Sequence, residues 1–350
     1  MLGPETACAE LEVDDAFPIS DIDDILPGLI EGRERVYYSL GKDHDFDNRV
    51  MEWVKVIRNN SRQGAHPPGE FQVLDHILHE LRLTKSAAEI ALMEQAARIS
   101  AEGHRRAMAY CRPGIKEYEL EAELLYAFTR AGSRAPAYSS IVAVGENACI
   151  LHYNPNDATV KDGDLVLIDA GCEFGHYASD ITRTFPANGK FSPAQKAIYE
   201  IVLQAQQAAI EAVQPGAAWD EPHKASIKVI TQGLLKLGLL EGRLSHLIKC
   251  GAYRDFYMHR VGHWIGMDVH DVGDYKIDNK WRLLEPGMVT TIEPGIYISP
   301  DNRKVAKKWR GIGVRIEDDV LVTRTGNRVL SAGIPKTVTE IESFMTASVH

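Results

Sequence analysis

Disulfide chemistry has little to work with in this chain. Its five cysteines, Cys8, Cys111, Cys149, Cys172 and Cys250, are scattered, odd in number and form no CxxC pair. A disulfide framework is excluded, and the five read as buried free thiols of a reducing compartment. Positive charge is also short: 39 Lys and Arg stand against 49 Asp and Glu, a formal net charge of −10 with no basic block to offset it. That balance argues against a nucleic-acid or anionic-membrane partner. No apolar run approaches the roughly 18 residues of a membrane span. The start, "MLGPETACAELEVDD", lacks the basic and apolar regions of a secretory signal. The expected location is the cytoplasm. Nucleotide-binding GxxxxGK[ST] and GxGxxG and the serine-hydrolase GxSxG are all missing, and Cys149, three residues before His152, lies in no known nucleophile motif.

What is present suits a globular protein: 350 residues, 45% hydrophobic and 25% charged, enough for a sizeable core. Residues 1–82 differ from the rest, with an acidic start, a Gly/Pro-rich loop "RQGAHPPGE" and a short helical pattern "FQVLDHILHEL". His76 and His79 share a face of that pattern. Without an acid or cysteine at ligand spacing, they read as surface residues. From Ser86 a capped helix begins, with Glu89 completing a capping box. A second helix covers "EYELEAELLYAFTRAG" and stops at Gly132. A third is capped by Ser192 with Pro193 at its first position, and a fourth covers about 221–237. Strands are expected around 139–145, 164–170, 178–185, 288–298 and 312–323, giving helix pair, strands, helix pair, strands. The second region is read as 83–342, followed by a tail at 343–350.

The run "DLVLIDAG" puts an acid, Asp169, at the end of an apolar strand, and Asp180 lies eleven residues on in a second strand-like run. An ionised carboxylate there is costly unless paired, hydrogen-bonded or bound to a metal. The segment "DGDLVLIDAG" is echoed by "EPGMVTTIEPG". In each, a turn glycine (Gly163, Gly287) precedes an acid (Asp169, Glu293) by six residues, and another glycine (Gly171, Gly295) follows two later. Further candidates are His259, His263 and His270 in "YMHRVGHWIGMDVHDVG", and Arg315 and Glu317, two apart in "GIGVRIEDD" and so on one face of a strand. Each has a bland reading singly. Together, four carboxylates and one imidazole would repel one another if gathered empty, whereas two divalent cations would cancel that charge. A mostly-oxygen site with one histidine suits Mn²⁺, and less specifically Co²⁺, Fe²⁺ or Zn²⁺. Two such ions polarise a shared water and steady both oxygens of a tetrahedral intermediate, which is peptide-hydrolysis chemistry.

The motifs "LHYN", "LVLIDAGCEFGHYASDITRTFP", "HRVGHWIGMDVHDVG", "TTIEPGIYISPDN" and "KWRGIGVRIEDDVLVT" resemble, in order across about residues 83–340, those of the metallopeptidase family that includes aminopeptidase P, prolidase and methionine aminopeptidase. The resemblance implies the α/β pita-bread fold, two halves related by a pseudo-twofold. It also implies dinuclear metal ligands at Asp169, Asp180, His263, Glu293 and Glu317. In that scheme Asp180 and Asp169 hold one ion, Asp169 and Glu317 bridge to the other, and His263 and Glu293 complete it. Glu293 also takes the water's proton, His270 hydrogen-bonds the scissile carbonyl, and His259 and His152 line the pocket beside the proline ring. Arg315 orients the carboxylates, and Tyr297 helps to move protons.

The segments "YISPDNRKVAKKWRGIGVRIEDD" and "SDITRTFPANGKFSPAQKAIYEIVL" are similar to the bacterial aminopeptidase P branch. The implied reaction is release of any N-terminal residue that precedes proline, with Asp169 beside the substrate's free amine. The rivals are a prolidase, cleaving only Xaa-Pro dipeptides, and a non-catalytic binding protein on the same fold. Residues 1–82 look like the later half of the family's N-terminal domain, so a shortened domain is expected there. The implied partners are proline-containing peptides and further copies of the chain, as dimer or tetramer.

Overall fold

The computed structural model describes residues 2–347, which fall into two compact units divided between residues 79 and 80. The first unit has helices Pro4–Leu11, Ile22–Ile30 and His44–Asn59 and two parallel strands, Arg35–Tyr38 and Glu70–Val73. Its small core gathers Ile30, Val50, Trp53, Val54 and Ile57, and Asp43 caps His44–Asn59 by accepting from Phe46 N. The expected helix "FQVLDHILHEL" is therefore divided: its first residues pair as strand, and the helix is Asp75–Leu83. The β-branched and aromatic residues at the start of that stretch suit a strand better than the apolar period suggests.

In the second unit the helix starts lie where the capping signals put them. Ala87–Tyr110 is capped by Ser86 and Pro193–Ala212 by Ser192, each with its reciprocal bond from Glu89 and Gln195. Glu117–Arg130 and Glu221–Lys236 complete the two helix pairs. The fold is mixed helix and sheet of the pita-bread type. One antiparallel sheet joins Ile141–Val144, Leu165–Asp169 and Thr182–Pro186. A second joins Val289–Ile292, Asp318–Val322 and Asn327–Val329, and Gly295–Ile298 pairs with Ile312–Arg315. The core beneath them includes Val166, Ile168, Phe185, Ile198, Val202, Ile230, Ile296 and Val314. Each such side chain contributes about 1.5–3 kcal/mol by leaving water, so the strand ends are held by a rigid base. Among the described residues no helix is long and apolar enough to cross a membrane.

Three expected strands are each interrupted. The 178–185 run becomes Tyr177–Ala178 and Thr182–Pro186, the 288–298 run breaks at Glu293–Pro294, and the 312–323 run breaks at Ile316–Glu317. Asp180, Glu293 and Glu317 all lie in these breaks. There the backbone leaves the ladder and a side chain can turn toward a cavity. The last helix, Val338–Ala347, runs across the expected start of the tail; residues 348–350 lie outside the described ones. The cysteines are all free, but only Cys111 and Cys172 are buried; Cys8 and Cys149 are half-buried and Cys250 is exposed. Cys250 ends the short helix Leu244–Cys250, which leaves its last residue in solvent.

Two glycines set the spacing of the acids. A Cβ on Gly171 would lie 1.7 Å from Ser179 O, and one on Gly262 would lie 1.9 Å from Thr291 O. The first approach brings the chain after Asp169 against the chain before Asp180, and the second brings the chain before His263 against the strand leading to Glu293. By contrast Gly163 has a left-handed φ of +84° with open space around it. Gly171→Ala must therefore push a pair of backbones apart. It should cost about 3 kcal/mol, the upper end of overpacking, against about 1 kcal/mol for Gly163→Ala, where only backbone strain is added. Thermal unfolding of both variants checks this; equal losses would contradict it.

Candidate active site

Nine of the ten residues singled out from sequence line one cleft of about 1180 Å³: His152, Asp169, Asp180, His259, His263, His270, Glu293, Arg315 and Glu317. The tenth, Tyr297, is 2% exposed and stands behind them, bonded to two of the nine. His76 and His79 sit on the Asp75–Leu83 helix and, against the expectation that no acid accompanies them, His79 Nε2 lies 3.9 Å from an Asp75 oxygen one turn back.

The acids are held by donors from several segments. The Tyr138 hydroxyl is 2.7 Å from Asp169 Oδ1 and 2.6 Å from Asp180 Oδ1. It has one hydrogen, so it can donate to only one of them at a time, yet it keeps both oxygens turned together. Arg315 donates through Nη2 to Asp169 Oδ2 (2.6 Å), through Nη1 to the Tyr297 hydroxyl (3.0 Å) and through Nε to Thr182 Oγ1 (3.2 Å). Thr182 in turn donates to Glu317 Oε2 at 2.6 Å. Asp180 N donates to Asp319 Oδ2 at 3.1 Å. Tyr138, Thr182 and Asp319 were not legible as site residues. Tyr138 lies in "RAPAYSS" with no periodic or glycine signal, and the others sit inside motifs whose ionic residues draw attention first.

The histidines have assignable tautomers, because a carbonyl only accepts. His263 Nδ1 donates to Trp264 O at 3.0 Å, which aims Nε2 at Asp180 Oδ2 (3.3 Å) and Glu293 Oε1 (3.8 Å). His259 Nδ1 donates to Arg260 O at 2.7 Å, so its Nε2 accepts from the Tyr297 hydroxyl at 2.9 Å. His270 meets the His263 ring edge-on, with centroids 4.3 Å apart.

The electrostatics follow from crowding. Burial pushes the Glu293 carboxyl up to about 7 against the pull of His263 and Arg315. Burial and then the charges of Asp180, Glu293 and Asp169 push Glu317 well above the usual carboxylate range. Asp169 is also raised by burial, with Arg315 opposing. Burial would raise Asp180 too, but its hydrogen bond and charge interaction with His263 hold it low. Burial would lower His263, yet Asp180 and Glu293 carry it up to about 9. His259, buried beside Arg315, is lowered to about 3 and stays neutral.

One ligand atom from each of Asp180, His263 and Glu317 falls within 4.8 Å of the others. With Asp169 and Glu293 beside them, this oxygen-rich set with one imidazole fits divalent cations, and raised carboxyl pKa values are what a cation would relieve. Asp180 has one oxygen on the Asp169 side and the other on the His263 side.

Residues 91–324 match the model of metallopeptidase family M24. The chain belongs to this family. It is 46% identical over 347 residues to the Xaa-Pro aminopeptidase of Escherichia coli, covering 99% of this chain and 78% of that protein. It is 48% identical over 346 residues to that of Haemophilus influenzae, with 98% and 77% covered. The structure of the Pseudomonas aeruginosa aminopeptidase PepP superposes with a TM-score of 0.97 at 64% identity, covering 99% of this chain and 78% of that one. Membership of M24 and the donor set together imply a divalent-metal peptidase.

A pH test follows. The folded values of Glu293 (about 7, from 4.5) and His263 (about 9, from 6.5) both lie above their ordinary ones, so each of these two groups holds its proton more tightly in the folded metal-free chain than in the unfolded one. The share from Glu293 is lost as pH rises toward 7. The share from His263 is whole below 6.5 and lost through 9. The comparison is of chelator-stripped and Mn²⁺-loaded protein melted at about pH 5 and at about pH 8. A divalent cation competes with those protons, so the Tm rise on adding Mn²⁺ should be larger at the higher pH. An equal rise at both would contradict the reading.

Proposed function

We propose that this chain is a metal-dependent Xaa-Pro aminopeptidase, releasing the first residue of peptides whose second residue is proline. The observation that carries the reading is the meeting of Asp169, Asp180, His263, Glu293 and Glu317 at the base of one cleft, in a chain nearly half identical to two Xaa-Pro aminopeptidases. These five would hold two divalent ions, Mn²⁺ by preference for an oxygen-rich set. When bound, such ions neutralise the acids, lower the pKa of water and polarise the scissile carbonyl.

The remaining work falls to the chain. Glu293, at the base of the cleft, accepts a proton from the attacking water and delivers it to the proline nitrogen. That delivery matters because a tertiary amide nitrogen carries no hydrogen and leaves poorly unless protonated. His270, on the cleft lining, donates to the carbonyl oxygen as it gains charge. His259 and His152 flank the proline ring, and Tyr297, donating to His259 and accepting from Arg315, fixes the neutral imidazole. Arg315 holds Asp169 in position, where it also attracts the substrate's free amine. The free state of all five cysteines supports a cytoplasmic setting.

Chelator-stripped protein should not cut an Xaa-Pro-Yaa tripeptide, and Mn²⁺ should restore release of the first residue. Asp169→Asn should cost about a hundredfold or more in kcat/KM. Turnover of Xaa-Pro dipeptides with tripeptides untouched would instead establish a prolidase. Binding of both without turnover would leave the non-catalytic reading.

A further inference from the structure

The far wall of the cleft is built differently from its base. Arg260 follows His259 in the chain, but its guanidinium lies 4.7 Å from the Trp281 ring and 5.3 Å from the Trp219 ring. Lys276 Nζ lies 4.3 Å from the same Trp281 ring. Lys276 and Trp281 are paired across a hairpin whose two central residues, Asp278 and Asn279, have φ of 49° and 62°. Positive φ at both central residues marks the tight turn whose twist suits two strands, so the pair is fixed in register. Behind it, Trp219 packs on Tyr275, with ring centroids 4.4 Å apart, and Tyr275 stacks on Trp264, the neighbour of His263. The aromatic wall is thereby tied to the metal-ligand segment.

Both cations are exposed, and among the described residues neither makes a hydrogen bond or ion pair to a carboxylate. Asp274 lines the same wall, leaving two positive groups against one negative. A guanidinium lying over an aromatic face keeps its N–H groups at the edge, free to meet a carboxylate with two parallel bonds. The cleft therefore carries, besides the acids, a cationic aromatic patch whose two positive groups lack a carboxylate partner among the described residues. An unblocked peptide ends in a carboxylate, the group that such a patch can receive and orient. The volume, about 1180 Å³, exceeds the usual range of about 300–1,000 Å³ for small-ligand sites and leaves room past the proline.

Resting on the peptidase reading above, we infer that Arg260 and Lys276, backed by Trp219 and Trp281, form a subsite for a carboxylate of the leaving peptide, so that short peptides with a free C-terminus are preferred. The test compares Ala-Pro-Ala with its C-terminal amide on Mn²⁺-loaded protein. The free acid should be favoured about tenfold in kcat/KM, the size of one charge-assisted contact, and chiefly through KM. In Arg260→Gln combined with Lys276→Gln, the acid-to-amide ratio should fall to near one. Equal use of acid and amide by the unaltered chain overturns the subsite while leaving the peptidase reading intact, as does a ratio unchanged in the variant. Cleavage of neither overturns both. Ala-Pro-Glu amide distinguishes the carboxylate's source. Rates like those of the free acid extend the subsite to acidic side chains, and rates like those of the plain amide confine it to the chain terminus; both uphold it.

Discussion

Four carboxylates converge where they have little water, and that single electrostatic constraint shapes the second unit. Ionised side chains that leave water need positive charge or hydrogen bonds in return, or else they bind protons. Neighbouring residues show both outcomes. Asp318 receives Arg183, Ser331, Gln206 and Lys336 at 2.6–2.7 Å and, despite burial, is held far below the usual carboxylate range. Glu317, one residue earlier, receives Thr182 and faces three other acids, and its carboxyl is driven well up. Asp318 is a satisfied structural ion. Glu317 belongs to a set that remains short of positive charge.

That shortage is kept in place by ties between the two strand groups. Arg183, beside Thr182, reaches both the Asp318 carboxylate and the Glu317 carbonyl. Thr182 bonds Glu317 through both side chain and backbone carbonyl, and Arg315 crosses back to Asp169. Each tie joins a residue of the Asp169–Arg183 region to one of the Glu293–Asp318 region. The acids therefore cannot drift apart to relieve their repulsion, and a cation is the remaining source of relief.

The sequence was informative wherever a local rule acts. Ser86 and Ser192 announce their helices through short-range capping bonds. The apolar strand ending in Asp169, and its echo at Glu293, are visible because a strand with an acid at its end breaks a local preference. The breaks at Asp180, Glu293 and Glu317 were hidden, since a strand interruption depends on which chain lies alongside. Tyr138 was hidden for the same reason: its role exists only because another segment brings two aspartates to its hydroxyl. The cationic wall was not legible either, because Arg260, Lys276, Trp219 and Trp281 come from separated stretches and follow no common period.

The proposed two-ion centre is tested most directly by anomalous diffraction from a crystal soaked in Mn²⁺. The proposal predicts two peaks, about 3.5–4 Å apart as in other paired sites, both within reach of Asp169, Asp180, His263, Glu293 and Glu317. A single peak, or strong peaks that leave these carboxylates uncontacted, would contradict it.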